Sequence, residues 1–457
     1  MNSIDTKYNF TQEEWENCLK VLTILKDNPL NNPENNRFAT LITKIHKKAK
    51  KNLRNDSYKS KKETDLETIL QTTLSQKAIE GKTLYADQKK ALAPFFTELN
   101  LPKKCYCCNV SYKMAHEYYN RLCPICATEN YENRFQNINL ENRNVILTGG
   151  RVKVGFATAL KLLRSKANVV ITSRFPALAL KQFEAENDYE EWKNQLVIYG
   201  LDLRNLKAIH NFIEFYKSKY TTLDILINNA AQTIKYPDEY YLPMVKEEEK
   251  LIEKYQNVVN LIANKTPISK EIKALEYNVS EFTEIQLNRF GQPIDAREKT
   301  SWNSTLNEVS LHELVEVNLI NQMAPYYLIK EFKPLLLNST FNEKFIINVT
   351  SSEGIFSYTN KTTFHPHTNM TKAALNMLTL TSGKEFANDQ IYMSCVDVGW
   401  ISTGAKEELR KKQFEKGYIP PLDSVDGASR IVHPIIEGIK GNYLYGVLLK
   451  NYKVASW

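Results

Sequence analysis

No run of about 18 apolar residues occurs, which is the length a helix needs to span a bilayer, so no membrane-crossing helix is expected. The first residues, MNSIDTKYNFTQEEW, lack both the basic stretch and the apolar core of a secretory leader. A soluble, cytoplasmic protein is the expectation. Cysteine is scarce: seven in 457 residues, too few and too clustered for a disulfide framework. There is no internal repeat, and the abundance of Asn and Lys is compositional drift, not low complexity. What remains is ample for a large core, with 42% hydrophobic and 25% charged residues, and suggests one big domain plus a smaller one. The net charge of +8 is local, since nine Lys/Arg face a single acid, Asp56, between Lys44 and Lys62. Such a stretch can meet nucleic acid or another anionic surface, but no aromatic or glycine interleaving accompanies it. A solvated helix face is the plainer reading, and nucleic acid is a disfavoured partner that the sequence leaves open.

Residues 1–100 read as helical segments broken by NPLNNPENN, the first with Trp15, Leu19, Leu22 and Leu25 roughly on one face. A cysteine-rich module is expected over 101–141. From Asn144 the texture changes to short Val/Ile/Leu runs separated by helix-length segments: NVILTG, NVVITSR, LVIYGLDL, LDILINNA, KFIINVTS and IYMSCVDVG. Each is too short for a helix, and continuous apolar runs mark strands buried on both faces. The fold class that follows is α/β, a doubly wound parallel sheet over 142–457, with YLYGVLLKNYKV closing one edge. About 232–308 is a charged, Tyr-rich insertion, for which a substrate lid or an oligomer contact is the usual role.

Cys105 and Cys108 are two residues apart, as are Cys123 and Cys126, with fourteen residues between the pairs. Two such hairpins aim four thiolates at one point, the donor set of a structural Zn²⁺ site that can hold together a segment too small for its own core. Four cysteines leave no open coordination position, so catalysis at the metal is not expected. A set of buried cysteines without metal is the alternative, and Cys107 and His116 lie nearby as substitute ligands.

After the first strand stands TGGRVKVGFATAL, a glycine turn opening a helix whose N-terminal amides can face a pyrophosphate. LDL closes the third strand and NNA the fourth, at the sheet edge where doubly wound folds bind ligands. Over roughly Asn142 to Trp457 the sequence resembles the short-chain dehydrogenase/reductase family, and a Rossmann fold is what that implies. The family's T-G-x-x-x-G-x-G falls on Thr148, Gly149, Lys153 and Gly155, with Lys153 in place of the middle glycine. Asp202 and Leu203 match the segment that contacts adenine, and Asn229, Ala230 and Ala231 the N-A-G segment. Asn318 matches the asparagine that supports a proton-relay water, and Ser351, three residues before Gly354, the catalytic serine. VDVGWIST resembles the loop beside the nicotinamide, with Val398 for proline, then Gly399, Trp400 and Thr403. NNAAQT, GQPID and HPHTNM also look like a branch of large members with a cysteine-rich front segment. The second strand ends in Arg174 with no acid, while Arg151 and Lys153 lie in the glycine turn, so NADP is expected over NAD. The bland reading is that Arg174 only caps the strand's surface.

In the family's Y-x-x-x-K, a lysine lowers the phenol's pKa for proton transfer. Lys372 is present, but Thr368 occupies the tyrosine position, and an aliphatic hydroxyl cannot titrate there. His365 and His367 are nearby imidazoles, His367 the better placed as an acid/base, although both could simply pack or cap at the helix start. Water or substrate could also supply the proton while Ser351 and Thr368 polarise a carbonyl. Two expectations follow. The first is an NADP-dependent oxidoreductase acting on a small carbonyl or alcohol, in which Lys372 also holds the cofactor ribose. The second is a pseudoenzyme that binds NADP as a structural or sensing ligand. Homo-oligomers are what the resemblance implies.

Overall fold

The computed structural model describes residues 8–81, 96–263, 292–293, 295, 297–358, 361–401 and 407–457. The chain divides into two compact units, Met1–Glu67 and Thr68–Trp457. Residues 82–95, just before the boundary expected at residue 100, lie outside the described ones.

The first unit contains helix α1 (Gln12–Asp27) and most of α2 (Asn35–Leu70). Thr11 starts α1 with a reciprocal capping box: its hydroxyl accepts from Glu14 N–H while the Glu14 carboxylate accepts from Thr11 N–H. Of the expected apolar face only Leu25 is buried, and Trp15 and Leu19 stay exposed. The basic 44–62 stretch lies within α2, and every residue of it is exposed.

The second unit is built on a nine-stranded sheet. Its strands are β3 (Asn144–Thr148), β4 (Asn168–Ser173), β5 (Leu196–Gly200), β6 (Ile225–Asn228), β7 (Leu261–Ile262), β8 (Lys344–Thr350), β9 (Ile391–Asp397), β10 (Leu448–Lys450) and β11 (Lys453–Ala455). They lie in the order β11-β10-β9-β8-β6-β3-β4-β5-β7, and only the β10–β11 pair is antiparallel. The six apolar runs are thus six parallel strands. Alternation decides which layer each side chain joins: Val145 and Leu147 enter one core and Ile146 the other. The first core is covered by α5 (Lys153–Arg164), α6 (Pro176–Glu184) and the late helix α14 (Ser424–Ile439). The second is covered by α8 (Leu206–Lys219), α11 (Ala324–Leu337) and α12 (Pro366–Ala387).

YLYGVLLKNYKV closes one edge as expected, but as a hairpin of two strands, because Asn451 and Tyr452 both take positive φ (51° and 64°), the requirement of a tight two-residue turn. At the opposite edge β7, supplied by the insertion, pairs with β5, so part of the insertion extends the sheet. The insertion also forms helix α9 (Asp238–Lys254). Residues 264–291 lie outside the described ones.

The cysteine-rich module has an antiparallel ribbon, β1 (Phe96–Lys104) with β2 (Ser111–His116), and helix α4 (Pro124–Phe135). It does have a small core, around Leu99, Tyr112, Tyr119 and Leu122. Its α4 lies against α14, where Arg134 pairs with Asp423 at 2.7 Å and Asp426 at 3.1 Å. Among the described residues no helix is long and apolar enough to cross a membrane.

Candidate active and cofactor site

The glycine turn at the end of β3 is held by its neighbours at the carboxyl edge. Thr148 Oγ1 accepts from the N–H of Asn229 and of Ala230, both at 3.0 Å, which ties β3 to the segment after β6. Asn229 Nδ2 returns bonds to the carbonyls of Thr148 (3.0 Å) and Gly149 (3.1 Å). Gly149 needs its freedom, with φ +72°, and Gly155 needs its missing side chain: a Cβ there would lie 2.0 Å from Gly149 O. Lys153, the replacement for the middle glycine, keeps φ +53°, so the chain holds the glycine conformation with a lysine in it.

A cationic corner lies where β4 ends. Arg151 is only 9% exposed and makes no ion pair with a described carboxylate. Burial, reinforced by the like charge of Arg174, pushes its guanidinium down to about 10. Arg174 is exposed, donates to Tyr241 Oη at 3.3 Å, and sits 4.7 Å from that ring. Tyr241 belongs to the insertion helix α9. So does Glu248, whose carboxylate accepts from Ala177 N–H (2.7 Å) and Leu178 N–H (2.8 Å) in the first turn of α6. Neither residue is singled out by the sequence, where they stand inside ordinary acidic and tyrosine-rich texture. A buried cation with no ion pair to a described carboxylate, beside a second cation and within a glycine turn that admits close approach, fits a phosphorylated ligand.

Asp202 and Leu203 follow β5. Asp202 accepts from Arg204 N–H at 3.0 Å and from its guanidinium at 2.7 Å. Burial alone would raise this carboxyl, but the bonds from Arg204 outweigh it and hold it below the usual range. Arg204 continues to Glu316 at 3.0 Å, and Gln232 Nε2 reaches the same carboxylate at 3.1 Å. Asn318 closes helix α10 (Leu311–Asn318), and a π-helical turn, Leu319–Met323, follows at once. Such turns shift the helix register and release carbonyls from the regular ladder. The Asn318 side chain donates to Leu314 O at 2.7 Å and accepts from Gln322. Asn321, not foreseen, is the tie across this region: its Oδ1 accepts from Gln232 N–H (2.8 Å) and its Nδ2 donates to Thr371 Oγ1 (3.1 Å).

Ser351 follows β8 and is partly exposed. Thr368 and Lys372 lie one turn apart on α12, as their spacing requires. Thr368 is 1% exposed and its hydroxyl has no partner among the described residues. The Lys372 ammonium is buried and donates to Val349 O at 2.8 Å; burial pushes it down to about 8. His367 points elsewhere, with Nε2 3.1 Å from Glu313 Oε1. His365 stacks on Trp302 with ring centroids 4.4 Å apart and carries φ +44° at the helix start. Gly399 follows β9 with φ +82°. Thr403 lies outside the described residues.

Cys105, Cys108, Cys123 and Cys126 come together, all four Sγ atoms lying within 4.8 Å of one another. Cys108 and Cys123 are 3.6 Å apart, close to the ~3.8 Å edge of a tetrahedron with zinc–sulfur bonds of about 2.3 Å. The group can hold a metal ion. Cys107 stands outside it, its sulfur 3.8 Å from Arg430 Nη2.

Against known proteins, a family model described as short chain dehydrogenase matches residues 143–260 and 294–413. The unmatched interval falls inside the insertion. An uncharacterized protein of Acanthamoeba polyphaga mimivirus is 32% identical over 346 residues, 73% of this chain and 71% of that protein. A WW domain-containing oxidoreductase of Gallus gallus is 33% identical over 97 residues, 21% of this chain and 23% of that protein. Among solved structures, an NADPH-bound carbonyl reductase from chicken fatty liver aligns with 18% identity over 70% of this chain and all (100%) of that one, at a TM-score of 0.41.

Proposed function

The chain belongs to the short chain dehydrogenase family, and from that membership we propose that it is an NADP(H)-dependent oxidoreductase acting on a small carbonyl or alcohol. The observation that carries the cofactor choice is Arg151, a guanidinium only 9% exposed with no ion pair to a described carboxylate. The field of Glu248 offsets the burial of this charge only in part, and an incoming phosphate would offset the rest. Arg174 stands beside it, and no acid at the end of β4 would hold a ribose 2′-hydroxyl instead. The amides at the start of α5 would hold a pyrophosphate, and the absent side chain of Gly155 keeps the turn tight enough for the backbone to approach it.

Bound there, the cofactor supplies the hydride. Ser351 donates its hydroxyl to the substrate oxygen, and Lys372 lends positive field and holds the ribose. Thr368 orients; it does not titrate. The proton comes from water held near Asn318 or from the substrate, because His367 is engaged by Glu313. The four cysteines would hold a structural Zn²⁺, with a thiolate for each of its four positions.

Two observations favour a second reading, an NADP(H)-binding protein without turnover: the Thr368 hydroxyl is buried, and the Lys372 ammonium is already bonded to Val349 O. One experiment separates them. NADPH with a panel of aldehydes and ketones loses its nicotinamide absorbance if the first holds, and Ser351→Ala stops the loss. Thermal stabilisation by NADPH with no loss on any substrate establishes the second. Arg174→Asp is expected to swing affinity from NADPH toward NADH, and an unchanged preference refutes the phosphate assignment.

A further inference from the structure

We propose that the four-cysteine module is a metal-dependent clamp on the loop Val398–Ile401, with Tyr106 and Arg121 as positioning residues, so that metal occupancy sets how tightly the cofactor is held. The cofactor half of this rests on the function proposed above.

Tyr106 lies between two of the sulfur ligands, Cys105 and Cys108, and its direction follows from their turn. Its N–H donates to Arg121 O at 2.9 Å, joining the first hairpin to the chain just before Cys123. Its hydroxyl oxygen accepts from the Trp400 N–H at 2.7 Å. The module thus reaches the backbone of the loop that leaves β9. The neighbouring Gly399 has no space to yield, for a Cβ there would come within 2.2 Å of Arg430 Nη1 and 3.3 Å of Tyr106 Oη. Arg430 links the same two parts, donating to Val398 O at 3.0 Å and to Asn130 Oδ1 of α4 at 3.0 Å. Arg121 lies over the Trp400 ring at 5.2 Å and the Tyr418 ring at 5.9 Å.

The far end of the segment is gripped too. Asn120 Nδ2 donates to Pro420 O at 3.4 Å, Tyr118 Oη to Asp423 Oδ2 at 3.1 Å, and Arg134 to Asp423 at 2.7 Å. One small module therefore fixes both ends of the chain between β9 and α14. The hairpin turn that carries Tyr106 and the segment that carries Arg121, which runs into α4 at Cys123, are cross-linked by the sulfur site, and a metal there fixes their mutual orientation. Without it the thiols separate and the contacts to Trp400 and Tyr418 loosen together.

The test uses the full chain, zinc-loaded and after chelation, followed by hydrogen exchange and NADPH titration. Chelation is expected to speed exchange in peptides covering 398–401 and 416–423 by about tenfold, with β3, β4 and β6 unchanged. NADPH affinity should fall about fivefold or more and return with one equivalent of zinc. Tyr106→Phe, zinc-loaded, should keep one zinc per chain and its melting temperature yet weaken NADPH by about fivefold, a split that a purely structural tyrosine would not produce. Unchanged exchange at 398–401 after complete metal removal overturns the clamp, as does a chain that takes up no zinc. NADPH binding to neither form refutes the cofactor reading, and the exchange measurement then still decides the clamp.

Discussion

Lys153 holds a left-handed backbone, φ +53°, at the position where the resemblance expects glycine. A side chain in that region costs about 1–2 kcal/mol, and it persists only if the turn around it is fixed and the residue is worth keeping. The turn is fixed, because Gly149 and Gly155 meet backbone to backbone and Asn229 bonds across them. Lys153→Gly is therefore expected to raise the unfolding free energy measured in urea by up to about 1 kcal/mol after the entropy of the added glycine. It should at the same time weaken NADPH about fivefold, if the ammonium meets phosphate. Stability and affinity rising together would refute a phosphate role. The replacement itself was legible in the sequence, as was Thr368 in the tyrosine position. The fate of His367 was not: its partner Glu313 stands 54 positions earlier, and no local pattern names it.

At the scale of elements, short apolar runs sufficed to find six parallel strands, because a strand buried on both faces must be continuously apolar. The two-residue β7 carries no such signal, and the β10–β11 turn depends on the conformation of Asn451 and Tyr452. The insertion helix α9 shows what sequence texture conceals. Its Glu248 acts as a cap for a different helix, satisfying two N–H groups at the start of α6. Glu248→Ala leaves these buried donors without acceptors and should cost about 1–3 kcal/mol in chemical denaturation, with Glu248→Gln recovering part of it. An alanine variant as stable as the parent would mean that water replaces the cap.

For the whole molecule, Lys372 makes stability depend on pH. Burial lowers its folded value to about 8 against about 10.4 for a free lysine. Between those values the unfolded chain binds the additional proton, so this residue's contribution to stability rises as pH rises from about 8 to 10. Lys372→Met should be more stable than the parent at pH 7, and the parent should gain on it across that window. Parallel denaturation curves would show that the ammonium is not desolvated. By itself the sequence determined the alternating strand and helix order, the glycine turn, the paired cysteine spacings and the missing phenol, all of them patterns written within a few residues. Only the tertiary structure decided that Glu248 caps α6, that Arg151 is buried beside Arg174, and that Tyr106 meets Trp400. These are pairings between groups tens to hundreds of positions apart, and they are chosen by which faces must pack to exclude water, a condition that no local spacing records.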